Sequence, residues 1–381
     1  MTLGPTPPRE RLESLDVLRG VALFGVLLEN LQHFVVPTYS VWVAGPEANG
    51  LDRAAFWLVR FACDNKVYAL FSFLFGYGIA LQILRAAAGS AHFVTLHCWR
   101  MAVLFLIGLA HLLLWAGDIL TTYALLGLLL LPLRAASARV LWSVAAGGLL
   151  APVAGVALLA VGGAVDPEVR EGLEAFTRGE IYPIRQACFA FGLFALGLAA
   201  GRAGALEDAA RFTARARRAV LPALAAGVVA NLAYVALLEG RSAGELGLAG
   251  FAVELCAVLG TPTLAFVILW GVLRGLVKSP WRTALLPLTS VGRTSLTSYL
   301  LQTAIGVGIL ARTGLGPLGP ITPPIGLALT VAIFTLQVVA SRWWLARFRF
   351  GPVEWIWRSA TYGRRQPMRA RGRNGGAITS G

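Results

Sequence analysis

The chain has 381 residues, 57% of them hydrophobic and only 14% charged, with a mean hydropathy of +0.70. A soluble protein of this length cannot bury that much apolar surface around one core, so that class is excluded. The formal charge of +14 does not indicate nucleic acid, because Lys and Arg sit in short segments beside apolar runs, as orientation signals do.

Residues 1–10 read as a disordered N-terminal tail. About ten apolar stretches of membrane-crossing length follow, each near the 20 residues a helix needs. They cover 15–36, 64–84, 99–116, 119–134, 139–164, 186–201, 217–238, 247–273, 289–311 and 324–345. The expected fold class is all-α, a polytopic transmembrane helical bundle over 11–346. Stretch 119–134 is short, and Gly260 and Pro262 are potential breaks in 247–273. The first stretch is not a cleaved signal peptide, since Asp16 and Arg19 open it and Glu29, Asn30 and His33 interrupt its far end. Acidic segment 165–185 fits a short surface helix. Residues 347–363 read as an interfacial amphipathic segment and 364–381 as a basic disordered tail. The cysteines Cys63, Cys98, Cys188 and Cys256 lack CxxC spacing and read as apolar fillers, with no metal site or disulfide expected.

Lys and Arg alternate by side. Assigning the connecting segments in turn puts 24 of them on one face and 8 on the other. The basic face is cytoplasmic by the positive-inside rule, so both termini are expected in the cytoplasm, with an even number of crossings.

Ionisable groups within membrane spans are expensive and mark candidate sites. Asp16 and Arg19 are three apart and can pair on one helix face as a structural ion pair. Glu29 and His33 are four apart on one face, and Asn30 lies roughly 9 Å from the outer end of its helix at 1.5 Å per residue. His111 lies at a similar depth, with Asp118 two turns on. Glu254 and Gln302 fall in the same outer-half layer of their spans. These groups are expected to line a cavity open to the outside.

The C-terminal SRWWLARFRFGPVEWIWRS interleaves Arg with Trp and Phe. Pro352 can open a helix after Gly351. Arg342, Arg347, Arg349 and Arg358 would then meet anionic lipids of the inner leaflet, at about 1 kcal/mol each.

Five blocks carry a resemblance: RLESLDVLRGVALFGVLLENLQHF (11–34), VYALFSFLFGYGIALQ (67–82), GLAHLLLWAGDILTTYALLG (108–127), VGRTSLTSYLLQT (291–303) and RFRFGPVEWIWRSATYGRRQPM (347–368). Over nearly its whole length the chain resembles the YeiB-like family of bacterial membrane proteins (domain of unknown function 418). The LDVLRG start also looks, more distantly, like that of transmembrane acyltransferases, which move an acyl group from a cytosolic acyl-thioester to an acceptor on the far side. In the larger acyltransferase group an Arg is followed eleven positions later by a catalytic His. The matching position after Arg19 is Asn30, and no His occurs in 37–60.

This resemblance implies acyl-CoA as a co-substrate, with no cofactor held permanently and an acceptor at the outer face. His111 would be the general base, oriented by Asp118, with Asn30 bonding the thioester carbonyl or its oxyanion. Glu29, His33, Glu254 and Gln302 would bind substrate. The phosphates of CoA would meet inner-face cations such as Arg100, Arg282 or Arg293. The other reading of the same polar layer is a transporter or exporter of a small or lipid-linked solute.

Overall fold

A backbone in lipid must satisfy its own N–H and C=O groups, so the apolar runs fold as helices. The computed structural model describes residues 12–35, 49–63, 65–86, 91–163, 182–239, 248–311 and 322–369. The 1–10 tail, most of segment 165–185 and the end of the basic tail lie outside these. In chain order the helices are α1 (Glu13–Val35), α2 (Gly50–Ala62), α3 (Lys66–Arg85), α4 (Ala91–Leu112), α5 (Leu120–Leu129), α6 (Ala138–Gly163), α7 (Tyr182–Arg202), α8 (Ala209–Glu239), α9 (Leu248–Val277), α10 (Ser279–Leu285), α11 (Leu288–Arg293), α12 (Ser295–Ile305), α13 (Pro323–Leu345) and α14 (Pro352–Thr361). A 3-10 turn, Leu131–Ala135, follows α5, and a π-helical turn, Gly306–Ala311, extends α12. Among the described residues there is no strand, only an isolated bridge between Phe348 and Arg369.

Seven stretches are long and apolar enough to cross a membrane by length and composition. The chain is an all-helical membrane protein. Stretch 247–273 does not break: α9 runs unbroken for 30 residues through Pro262. The Thr263 hydroxyl bonds Leu259 O at 2.6 Å beside that proline, one of the ways membrane helices tolerate such a residue. Stretch 289–311 does break, into α11, α12 and the π-helical turn. Residues 50–62, which carry Asp52, Arg53 and Arg60, form α2 ahead of the expected stretch.

α1 and α3 form the centre. Val17, Leu18, Leu23 and Leu27 of α1, and Leu70, Leu74 and Tyr77 of α3, are buried in the clusters around them. Helix pairs α3 with α7 and α8 with α9 make the largest contacts, and α6 packs on α7. On the other side α1 meets α11, α12 and α13. The outer faces expose large apolar side chains, such as Leu221 and Val229 on α8 and Leu336 and Val339 on α13. In water this would be unstable, but in a bilayer it is the lipid-facing surface.

Asp16 and Arg19 do meet: Arg19 Nη1 lies 3.3 Å from Asp16 Oδ1. The Asp16 side chain is 11% exposed and that of Arg19 is 31% exposed, so the pair stands between the surface and buried limits. Asp16→Ala and Arg19→Ala are each expected to lower stability by about 1–3 kcal/mol. The double change should cost less than the sum, read by thermal unfolding in detergent. Additive losses would mean that the 3.3 Å contact carries no energy.

The C-terminal segment is built into the bundle. Gly351 and Pro352 start α14 as the Gly-Pro pair predicts. Glu354 is buried, and its two oxygens accept from Leu296 N (2.6 Å), Thr297 N (3.1 Å) and the Thr297 hydroxyl (2.5 Å). Those amides are first-turn donors of α12, which have no partner within their own helix. α14 therefore caps α12 from outside. The approach is tight, for a Cβ on Gly351 would stand 2.1 Å from Glu354 Oε2 and 2.7 Å from Thr297 Oγ1. Burial lifts the Glu354 carboxyl above its usual range, and the three donors pull it part of the way back. Trp357 Nε1 donates to Arg100 O at 2.9 Å, and the Arg100 guanidinium lies over the Trp357 ring at 4.1 Å. Ile356 is exposed, whereas Trp355 is tied to Gln366 O at 2.8 Å.

Candidate functional site

Three helices meet at His111. It sits in the last turn of α4, on the helix face turned inward, and the chain then doubles back through a turn into α5. His111 Nδ1 is 2.7 Å from Asp118 Oδ1, and His111 Nε2 is 2.9 Å from Thr303 Oγ1 of α12. The other Asp118 oxygen, Oδ2, accepts from Thr121 N at 2.8 Å and from the Thr121 hydroxyl at 2.7 Å, capping α5. An ionised Asp118 accepts only, so Nδ1 carries the hydrogen and Nε2 is the free base that takes the Thr303 hydroxyl. The side chains of His111 and Asp118 are fully enclosed, and Thr303 is 0% exposed. The Tyr299 ring lies 4.9 Å from the imidazole. α4 and α5 come close enough for this only because residue 108 is glycine, where a Cβ would stand 2.6 Å from Thr121 N.

A hydroxyl, an imidazole and a carboxylate in that order form a proton-transfer chain. The carboxylate fixes the tautomer, and the imidazole can take a proton from a hydroxyl placed at Nε2.

Two of the other expected site residues have partners elsewhere. Gln302, next to Thr303, turns to the opposite side of α12 and bonds Leu23 O (3.4 Å) and Gln337 (3.0 Å). Glu254 on α9 pairs with Arg185 of α7, among helices that pack on α3 rather than on α12. Asn30 is half-buried on α1, and among the described residues no hydrogen bond joins it to His111. Glu29 lies within Coulombic reach of Tyr123. His33 falls in α1, but its side chain lies outside the described residues.

A cavity of about 270 Å³ runs inside the bundle between α1, α3, α4, α5, α12 and α14. One end carries Asp16, Arg19, Arg85, Arg100, Arg293 and Arg358. The middle is apolar, walled by Leu23, Phe71, Phe75, Met101 and Leu104. Toward the other end it is lined by Ile119, Leu120, Tyr123 and Tyr299. Ile119 and Leu120 follow Asp118 directly, and Tyr299 touches His111. The His111 chain is thus one residue layer behind that lining.

Two members of this arrangement were not expected. Thr303 ends the block VGRTSLTSYLLQT, where one hydroxyl among six does not stand out. Glu354 is the one acid in a basic, aromatic segment, and that isolation was the signal available.

A family model described as protein of unknown function (DUF418) matches residues 200–364. Uncharacterized protein YxaH of Bacillus subtilis (strain 168) is 32% identical, over 96% of this chain and 98% of its own. The chain belongs to this family. An uncharacterized 39.9 kDa protein in the amylase 3' region of Bacillus acidopullulyticus is 29% identical over 96% of this chain and 98% of its own. Uncharacterized protein YeiB of Escherichia coli (strain K12) is 27% identical over 92% and 96%. Family membership therefore extends over the length that holds both the His111 chain and the arginine-lined cavity.

Proposed function

We propose that this family member is a bacterial plasma-membrane acyltransferase with ten crossings and both termini in the cytoplasm. The observation that carries the reading is the His111 chain standing one layer behind a cavity whose other end is lined with arginines. An acyl-CoA enters by its arm from the arginine end, and the acceptor comes from the outer side. His111 Nε2 takes the proton of an acceptor hydroxyl or amine as its oxygen or nitrogen attacks the thioester carbonyl. The carbon–sulfur bond breaks, and the proton passes to the departing thiolate. The Thr303 hydroxyl holds the place at Nε2 that the acceptor takes, and Tyr299 has to move aside for the arm to reach it. Arg342, Arg347 and Arg349 favour anionic lipid at the inner leaflet.

The test is transfer of labelled acyl groups from acyl-CoA to a membrane extract by vesicles containing the full chain. His111→Gln should reduce transfer by at least about 100-fold, the lower range for loss of a general base. Unchanged transfer would remove the base and the reading with it. A carrier of an anionic amphiphile is the second reading, favoured by the arginine-to-apolar gradient of the same cavity. It makes His111 dispensable for flux. The orientation is checked separately, by reporter fusions at Gly117, Gly240 and the C-terminus. A C-terminus on the outer side would put the arginines on the wrong face.

A further inference from the structure

The arginine end of the cavity holds more positive charge than its surroundings neutralise. Two carboxylates line it, Asp16 and Glu354. Asp16 is engaged by Arg19. Both oxygens of Glu354 are taken by the α12 amides and the Thr297 hydroxyl. Among the described residues no carboxylate lies within ion-pair distance of Arg100, Arg293 or Arg358. Arg100 and Arg358 rest on aromatic rings, Trp357 at 4.1 Å and Phe350 at 4.8 Å. Arg293 Nε is buried with no hydrogen-bond partner. One turn of α4 before Arg100, His97 Nδ1 is also buried without one. His97 Nε2 is occupied by Gly127 O at 2.9 Å, so Nδ1 is a bare acceptor. Arg293 Nε and His97 Nδ1 both belong to residues lining this one cavity.

Like charges are held together here at a cost that an anion would remove. Burial pushes the Arg358 guanidinium below its usual range and the Arg19 charge adds to this, while Tyr362, Glu354 and Asp16 offset part of it. A planar guanidinium offers paired donors that fit phosphate oxygens. Beyond the arginines the walls turn apolar. That sequence suits a charged head followed by a narrow apolar arm.

We propose that this end of the cavity binds the phosphate groups of an amphiphile whose arm runs along the apolar shaft, with Arg358 of α14 closing the site against Arg19, Arg100 and Arg293. The assignment of the arm to an acyl donor rests on the acyltransferase reading; the phosphate site does not. The C-terminal helix is then part of the binding site, and its docking through Glu354 is a condition for binding. Two sources share this chemistry: a cytosolic phosphorylated thioester carrier such as coenzyme A, and a polyisoprenyl phosphate from the bilayer.

The experiment titrates the full chain in detergent with coenzyme A and, separately, with a polyisoprenyl phosphate in mixed micelles. At least one probe should bind, compete with inorganic pyrophosphate, and weaken as salt is raised. Arg293→Gln and Arg358→Gln should each weaken it at least tenfold, and Arg358→Lys less than Arg358→Gln. The probe that binds names the source. The pyrophosphate competition and the salt series need no variant, so a misfolded variant cannot protect the proposal. Binding of neither probe, or binding unaffected by pyrophosphate, overturns it, as does binding unchanged in both glutamine variants. His111→Gln should bind as the wild type does. Phosphate binding without any acyl transfer would leave the site standing and sink the acyl-donor role. Equal kcat/KM for a short acyl-thioester lacking phosphates and for acyl-CoA would do the reverse.

Discussion

Glu354→Ala is expected to destabilise the protein by about 3 kcal/mol and to release α14 from the bundle. The side chain accepts from two backbone amides and one hydroxyl at the start of α12, all away from water. Each buried donor left without an acceptor costs about 1–3 kcal/mol, and the favourable placement of an acid at a helix N-terminus is lost as well. Glu354→Gln keeps one acceptor oxygen for the amides and should cost only about 1 kcal/mol. The two variants also separate by pH. The folded carboxyl is lifted above its ordinary value of 4.5, so it holds its proton to higher pH folded than unfolded. Its contribution is therefore complete below the unfolded value and is lost as pH rises through the folded one. Glu354→Gln should lack that decline. Thermal unfolding in detergent across pH, with limited proteolysis of the C-terminal segment, reads both effects. If Glu354→Ala melts with the wild type and resists protease equally, the cap does not hold α14.

Much of the fold was legible because membrane insertion depends on length and apolarity, which a sequence displays directly. All ten of the expected stretches begin or end within a few residues of a helix terminus, and α14 starts where the Gly351–Pro352 pair puts it. Break points were less legible. Pro262 was a sensible candidate, yet α9 continues through it, because helices packed around a membrane segment can absorb one missing hydrogen bond. The site was legible in one dimension only. Depth along a helix follows from counting residues, and it put His111 and Asp118 together, although the chain joins them through the turn after Leu112 and not along two turns of one helix. Depth says nothing of azimuth or of which helices adjoin. Glu254 shares the expected layer but belongs to the group of α7, α8 and α9, where Arg185 takes it. Thr303 and Glu354 depend on contacts 192 and 58 residues away in sequence. No local pattern encodes those.

Asp118→Asn is expected to leave the protein folded while reducing acyl transfer by about 10³–10⁴, the scale seen when a catalytic histidine is held in the wrong tautomer. The asparagine oxygen can still accept from Thr121 N, so the α5 cap survives. The amide nitrogen then faces His111 Nδ1, across the 2.7 Å now spanned by a carboxylate oxygen. It donates, so Nδ1 must accept and the ring hydrogen moves to Nε2. The imidazole would then donate to Thr303 and could not serve as a base. Asp118→Ala removes the acceptors of both Thr121 N and the ring, and should destabilise by about 2–4 kcal/mol. Thr303→Val separates the remaining roles. If Thr303 only occupies the acceptor position, its loss changes the rate a few-fold at most, whereas a hydroxyl that itself carries the acyl group would be lost entirely in valine and recovered in serine. Nitrogen chemical shifts of the His111 ring report the tautomer without any assay. Asp118→Asn with the hydrogen still on Nδ1 would break the argument at its first step. A variant with the hydrogen moved, the melting temperature kept and the transfer rate unchanged would leave His111, Asp118 and Thr303 as a clamp between α4, α5 and α12, with no part in proton transfer.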